Sequence, residues 1–278
     1  MTPPSVRLVG AGDLHEAVAL LVARSGAAPV EGPADLEIWA VTSASLRSVV
    51  RERAPGPGEH VLLATRGLEP GTGKRPSEVF LEESACLRVG VLAGPLLVAE
   101  LRRQSPCATI VASQFHEVTA RGARALRSPL CRAYATTDLV GVELASALVD
   151  VFAIAVGAAR GLGLGTGAEA LLVARAAVEG ARLAARIGGD ARTFSGLAGV
   201  GDLVACAASV DHPGHRAGLA LARGEPLPEA VAMCDALLGQ ARLPIVGVVR
   251  RVAAGEARAA AALDVLMQSA HVGEWDDA

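Results

Sequence analysis

Lysine is almost missing from this chain: of the 26 basic residues one, Lys74, is a lysine and the other 25 are arginines. Chemistry that needs an amine therefore has a single candidate. Aromatic residues are scarce too, at 3%, whereas there are 56 alanines and 31 glycines. Such an interior is built from small side chains in close helix-on-helix or helix-on-sheet contact, which argues against an all-β sandwich. No block of five or six like charges occurs and the net charge is −3, so the footprint of a nucleic-acid binder is lacking. The five cysteines, Cys86, Cys107, Cys131, Cys206 and Cys234, are odd in number and never form a C-x-x-C pair. That spacing suits reduced, mostly buried thiols rather than a disulfide frame or a zinc site. The most apolar window, Leu144 to Ala159, is interrupted by Asp150 and stopped by Arg160, short of the roughly 20 residues a bilayer requires. Neither a membrane span nor, from Met1 to Arg7, a signal peptide is expected, and the cytoplasm is the expected compartment.

The 278 residues are enough for one large domain or two modest ones. Short apolar runs alternate with helix-like stretches up to residue 137, the pattern of βαβ units and a mainly parallel sheet. Strands are expected at Val6–Val9, Leu36–Val41, His60–Ala64, Val89–Leu92 and Thr109–Ala112, five or six in all. From Asp138 onward Ala, Leu, Val and Arg recur at helical spacing, predicting helices near 139–160, 168–187, 201–208, 216–222, 227–238 and 244–253. The expected fold is α/β. A reduced Rossmann-like domain over 1–137 is followed by an all-helical domain over 138–278.

The opening Val6-Arg7-Leu8-Val9-Gly10-Ala11-Gly12 runs a strand into G-x-G, the entry of a dinucleotide-binding unit, with Gly10 and Gly12 as cofactor-binding candidates. The third glycine of that motif is replaced by His15. Asp13-Leu14-His15-Glu16 has the spacing of a capping box, in which Asp13 and Glu16 satisfy the first-turn amides and repel a diphosphate. Glu31 stands about 20 positions on, where an acidic residue holds the ribose hydroxyls. Only residues 26–35 separate the first helix from Leu36, too few for a complete mononucleotide-binding half.

Six segments together carry a resemblance. They are Ala34–Val41, Thr65–Gly73, Gly90–Pro95, Tyr134–Leu144, Gly161–Gly165 and Phe194–Leu203, in the order and spacing of bacterial NAD(P)-dependent glycerol-3-phosphate dehydrogenases. The chain resembles that family from about residue 34 onward, most closely over 130–205. The resemblance implies a Rossmann domain, NAD or NADP as cofactor, and reduction of dihydroxyacetone phosphate by a nicotinamide hydride. It also implies a lysine on the first long helix of the helical domain, acting on the carbonyl oxygen, with an asparagine beside it.

Carried over position by position, the resemblance places Val149 where that lysine belongs and Asp150 where the asparagine belongs. An isopropyl group cannot deliver a proton, and general acid-base assistance is typically worth about 10²–10⁴-fold. A second family lysine is Arg66, which keeps the charge and loses the ability to deprotonate. The Arg-Asn pair that grips the substrate phosphate becomes Pro213-Gly214, followed by His215 and Arg216 at an expected helix start. Ala93, Leu96 and Thr166-Gly167 replace further polar family positions. Asp202 and Arg66 are the remaining catalytic candidates, Arg175 is a prospective partner of Asp202 or Asp150, and Lys74 matches no catalytic position. No metal site is expected.

These losses point to a divergent, catalytically inactive relative acting as scaffold or regulator. Two alternatives stay open: an oxidoreductase of altered substrate, and a sensor that binds a nucleotide or small phosphate without turnover. A protein partner or a homo-oligomer is open as well; nucleic acid and membrane are not expected as partners.

Overall fold

The computed structural model describes residues 3–268; Met1, Thr2 and residues 269–278, which close the second expected domain, lie outside the described residues. The first part of the chain alternates β1 (Ser5–Gly10), α1 (Asp13–Ser25), β2 (Ala28–Pro29), β3 (Leu36–Ala40), α2 (Ser43–Arg53), β4 (Val61–Leu63) and α3 (Pro76–Glu83). It continues with β5 (Val89–Ala93), α4 (Val98–Arg102), β6 (Cys107–Ala112), α5 (His116–Leu126) and β7 (Cys131–Thr136). The seven strands form one sheet in the order β2-β1-β3-β4-β5-β6-β7, parallel throughout except between β5 and β6. Seven strands replace the expected five or six, because β2 is two residues long and β7 is an edge strand whose Arg132 and Tyr134 alternate outward. The central strands were easier to foresee, since β3, β4 and β5 are buried along their whole length; β4 and β5 read as unbroken apolar runs, and β3 is interrupted only by Glu37.

From Leu139 the chain is helical: α6 (Leu139–Gly161), α7 (Thr166–Arg186), α8 (Ala191–Ser195), a π-helical turn at Leu197–Gly201 and α9 (Asp202–Ala208). Next come α10 (Pro213–Ala222), α11 (Pro228–Leu238), α12 (Pro244–Ala253) and α13 (Ala259–Gln268). α8, the π-helical turn and α13 were not anticipated. One apolar cluster packs α1 and α5 against one face of the sheet. A second starts from Trp39 and Phe80, in edge-to-face contact at 5.6 Å, and continues through α6 to α12. The α/β part and the helical part thus share a core.

α6 corrects the reading of its apolar window. With 23 residues, and a mean hydropathy of 2.2 over its most apolar 18, it is long and apolar enough to cross a membrane, yet 83% of that stretch is buried inside the protein. The contact of α6 with α10 depends on absent side chains. A Cβ placed on Gly218 would stand 2.3 Å from the Ile154 carbonyl oxygen and 2.5 Å from the Ala158 nitrogen. Both are backbone atoms that cannot rotate aside. Gly218→Ala is therefore expected to cost about 1–3 kcal/mol by overpacking, read as a lower urea midpoint at unchanged m-value.

Candidate functional site

Two places collect the residues singled out by the sequence. The first is the turn between β1 and α1. Gly10 has φ +117°, and a Cβ there would lie 2.0 Å from the Ala40 carbonyl oxygen, so only glycine lets β1 turn beside β3. Gly12, at φ +87°, is itself the N-cap of α1 and makes no side-chain capping bond. The expected capping box is thus not formed. Its would-be cap is one residue too late, because Asp13 already lies within the helix, and Glu16 is drawn away to Arg102. That arginine donates through Nε and Nη2 at 2.6 and 2.7 Å, a charge-assisted fork stronger than a reach back to one amide. The first-turn amides of α1 carry no side-chain cap, and His15 is partly buried where the third glycine would pack.

The adenosine side of this locus is truncated. β2 pairs with β1 only at Ser5 and Val6, and the chain then passes directly to β3 without a helix or a further strand. In the usual order 3-2-1-4-5-6 the outermost strand of this half is therefore absent. β2 stops opposite Val6, four residues before Gly10 in register, about 13 Å at 3.3 Å per residue. Glu31 follows two residues later and is exposed. The residues present fit the pyrophosphate turn of a dinucleotide site and do not fit its adenosine half.

The second locus lies where the β4–α3 loop meets the helices. Arg66 reaches Asp150 on α6 through Nε at 3.1 Å and Nη2 at 2.8 Å, and Asp202 at the start of α9 through Nη1 at 2.8 Å. All three guanidinium nitrogens are committed to carboxylates, and the two opposing aspartates hold the Arg66 pKa well above its ordinary value against a large burial penalty. Asp202 is 1% exposed. It is brought there by the π-helical turn, a device frequent at functional positions. Its other oxygen accepts from the Cys206 thiol at 3.2 Å, a thiol whose pKa burial pushes up, so that it stays protonated and donates.

Arg175, the expected partner of the aspartates, instead donates to the Leu266 carbonyl. Val149 is completely buried in the core, so its position on α6 presents nothing to a ligand. The loop that replaces the phosphate clamp is filled from within. His212 Nδ1 accepts from the Gly214 amide at 3.2 Å, and burial lowers the pKa of that imidazole. His215, at the expected helix start, is buried with Nδ1 3.0 Å from the Ala207 carbonyl oxygen, and exposed Arg216 donates to Asp211 O at 2.5 Å. Lys74 is paired with Glu82. A nearby recess of about 190 Å³, lined by Leu68, Lys74, Arg75 and Leu144 among others, includes none of Arg66, Asp150 and Asp202. It is smaller than the roughly 300–1,000 Å³ usual for small-molecule pockets. Sequence reasoning missed Cys206 and His212 as neighbours of the cluster. The i, i+4 spacing of Asp202 and Cys206 was the available signal for the first.

Comparison with known proteins bears directly on these loci. The sequence profile of the NAD-dependent glycerol-3-phosphate dehydrogenase N-terminus matches residues 21–119, and that of the C-terminus matches 138–246. The chain belongs to this family. It is 41% identical over 226 residues to the glycerol-3-phosphate dehydrogenase (NAD(P)+) of Leptothrix cholodnii, covering 81% of this chain and 66% of that one. The enzyme of the same name from Streptomyces coelicolor is 36% identical over 236 residues, covering 80% of this chain and 70% of that one. The chain thus spans slightly less than two thirds of the length of the Leptothrix relative. In fold it is similar to the crystal structure of glycerol-3-phosphate dehydrogenase from Coxiella burnetii, with a TM-score of 0.87, 24% identity, and coverage of 96% of this chain and 100% of that one. The family match begins at residue 21, after the glycine turn of β1 and α1.

Proposed function

We propose that this chain is a non-catalytic member of the glycerol-3-phosphate dehydrogenase family, acting in the cytoplasm as a scaffold or regulator toward a protein partner. The observation that carries this reading is the closed Arg66–Asp150–Asp202 cluster, with Val149 enclosed in the core at the position where the resemblance implies the catalytic lysine. One cation between two carboxylates leaves a net negative charge that repels a phosphorylated ketone. No amine stands ready to protonate a developing alkoxide. Pro213-Gly214 supplies no charged group to hold a phosphate.

Purified protein supplied with NADH and dihydroxyacetone phosphate is expected to give no loss of nicotinamide absorbance above buffer. Val149→Lys alone is expected to leave that result unchanged, because substrate and cofactor remain unheld. Wild-type turnover that Asp202→Asn abolishes would overturn the proposal in favour of an oxidoreductase of altered substrate.

A second reading, a nucleotide or phosphate sensor without turnover, is favoured by the uncapped first turn of α1 behind Gly10 and Gly12. Calorimetric titration with NADH separates the two. The truncated adenosine side predicts binding weaker than micromolar, whose free energy is about 8 kcal/mol. Micromolar binding competed by ADP-ribose, without turnover, would select the sensor.

A further inference from the structure

β6 and β7 run parallel at the edge of the sheet, and their first paired residues are Cys107 and Cys131. In-register neighbours project to the same face, and adjacent strands lie about 4.7–4.9 Å apart, within the roughly 4.4–6.8 Å Cα separation of disulfides. The pairing is fixed by the Cys107 amide, which donates to the Leu130 carbonyl at 2.8 Å. Both thiols are free, Cys107 partly exposed and Cys131 buried. They line one open recess of about 520 Å³ together with Arg127, Ser128 and Arg132. Neither belongs to the Arg66 cluster or to the glycine turn.

We propose that Cys107 and Cys131 form a redox-reactive dithiol that a hydroperoxide converts to an intrachain disulfide. The exposed member is the one prepared to attack. The neighbouring Cys131 thiol lowers the Cys107 pKa; burial opposes this and the Arg24 guanidinium adds to it. Cys131 is correspondingly pushed up, by the neighbouring Cys107 and by burial. Nη1 of Arg24 is buried without a hydrogen-bond partner, so this positive charge is not fully neutralised locally.

In the first step the Cys107 thiolate attacks one peroxide oxygen and the O–O bond breaks. The departing alkoxide takes up a proton as alcohol, and Cys107 is left as a sulfenic acid. Cys131 then loses its proton and attacks that sulfur. The S–O bond breaks, and the hydroxide leaves as water with the released proton. Two thiols and one hydroperoxide become one disulfide, one alcohol and one water. The strand register places the two residues opposite each other, at a Cα separation a disulfide can span.

The test treats the full chain with a small excess of hydrogen peroxide and counts thiols after denaturation. The five free thiols should fall to three. A non-reducing tryptic digest should then contain residues 104–121 joined to 128–132, and dithiothreitol should release them. In the untreated protein, Cys107 should alkylate about 10-fold faster than buried Cys86 or Cys234. With Cys131→Ser the joined peptide should vanish, and Cys107 should proceed to sulfinic acid. The proposal is overturned if wild-type Cys107 reaches sulfinic acid without cross-linking, if Cys131 pairs elsewhere, or if the thiol count stays at five. The wild-type digest decides the matter even if the variant does not fold.

Discussion

Arg66→Met is expected to destabilise the protein by about 3–5 kcal/mol at neutral pH, the usual cost of removing one partner of a buried charged pair. The guanidinium bridges two carboxylates on different helices, one of them 1% exposed, and withdrawing it leaves both without a counter-charge. Methionine roughly preserves the length of the aliphatic stem, so packing loss is a minor part of the change. Combining Arg66→Met with Asp150→Asn and Asp202→Asn should recover much of the stability, since an apolar or neutral substitute for a whole buried ion cluster is often close to neutral. Urea midpoints of the single, double and triple variants measure this coupling. A single variant within about 0.5 kcal/mol of wild type would show that the cluster is solvated and weak, and would remove the main support for reading it as a closed catalytic site.

That cluster marks the limit of what the sequence discloses. Arg66 is 84 residues from Asp150 and 136 from Asp202, and no local period records a contact across such separations. What made the three residues legible as candidates was their place in family motifs; what was illegible was that they would bind one another. The same division holds for the fold. β4 and β5 announce themselves as buried apolar runs, and α6 does so through a mostly apolar stretch between Asp138 and Arg160. The Asp138 side chain accepts from the Gly141 amide at 2.9 Å, an ordinary N-cap. By contrast, the π-helical turn before Asp202 follows neither a 2.0 nor a 3.6 period. Its glycines read as turns, although a Cβ on Gly199 would lie 2.0 Å from the Phe194 carbonyl oxygen. The capping box failed for a related reason: Asp13 and Glu16 have the right spacing, yet a distant arginine on α4 outcompeted the local bond.

Two buried glutamates make the stability of this protein depend on pH in an unusual direction. Glu143 on α6 accepts from the Ser77 amide and hydroxyl, both at 2.7 Å, and thereby caps α3; Glu179 on α7 accepts from the Ile245 amide at 3.0 Å and caps α12. Burial raises both from an ordinary 4.5 to about 7; their hydrogen bonds and the nearby arginines oppose this, while Glu78 adds to it at Glu143. Because the folded state holds these protons more tightly than the unfolded chain, their stabilisation is complete below about pH 4.5 and is lost as pH rises through 7. Each site should account for about 3 kcal/mol across that window, at 1.36 kcal/mol per unit. Glu69 works the other way, held down to about 2 chiefly by Arg47, so its contribution disappears only in stronger acid. The contribution of Glu143 and Glu179 should therefore decline from about pH 4.5 toward neutrality. Glu143→Gln keeps an acceptor for the Ser77 amide and a donor for its hydroxyl while removing the titration. It should match wild type at pH 4.5, exceed it at pH 8, and flatten the decline by roughly half, with Glu179→Gln removing most of the rest. Urea unfolding from pH 4 to 8 measures these slopes, and a Glu143→Gln variant that retained the full wild-type slope would show that the carboxylate does not hold its proton in the folded state.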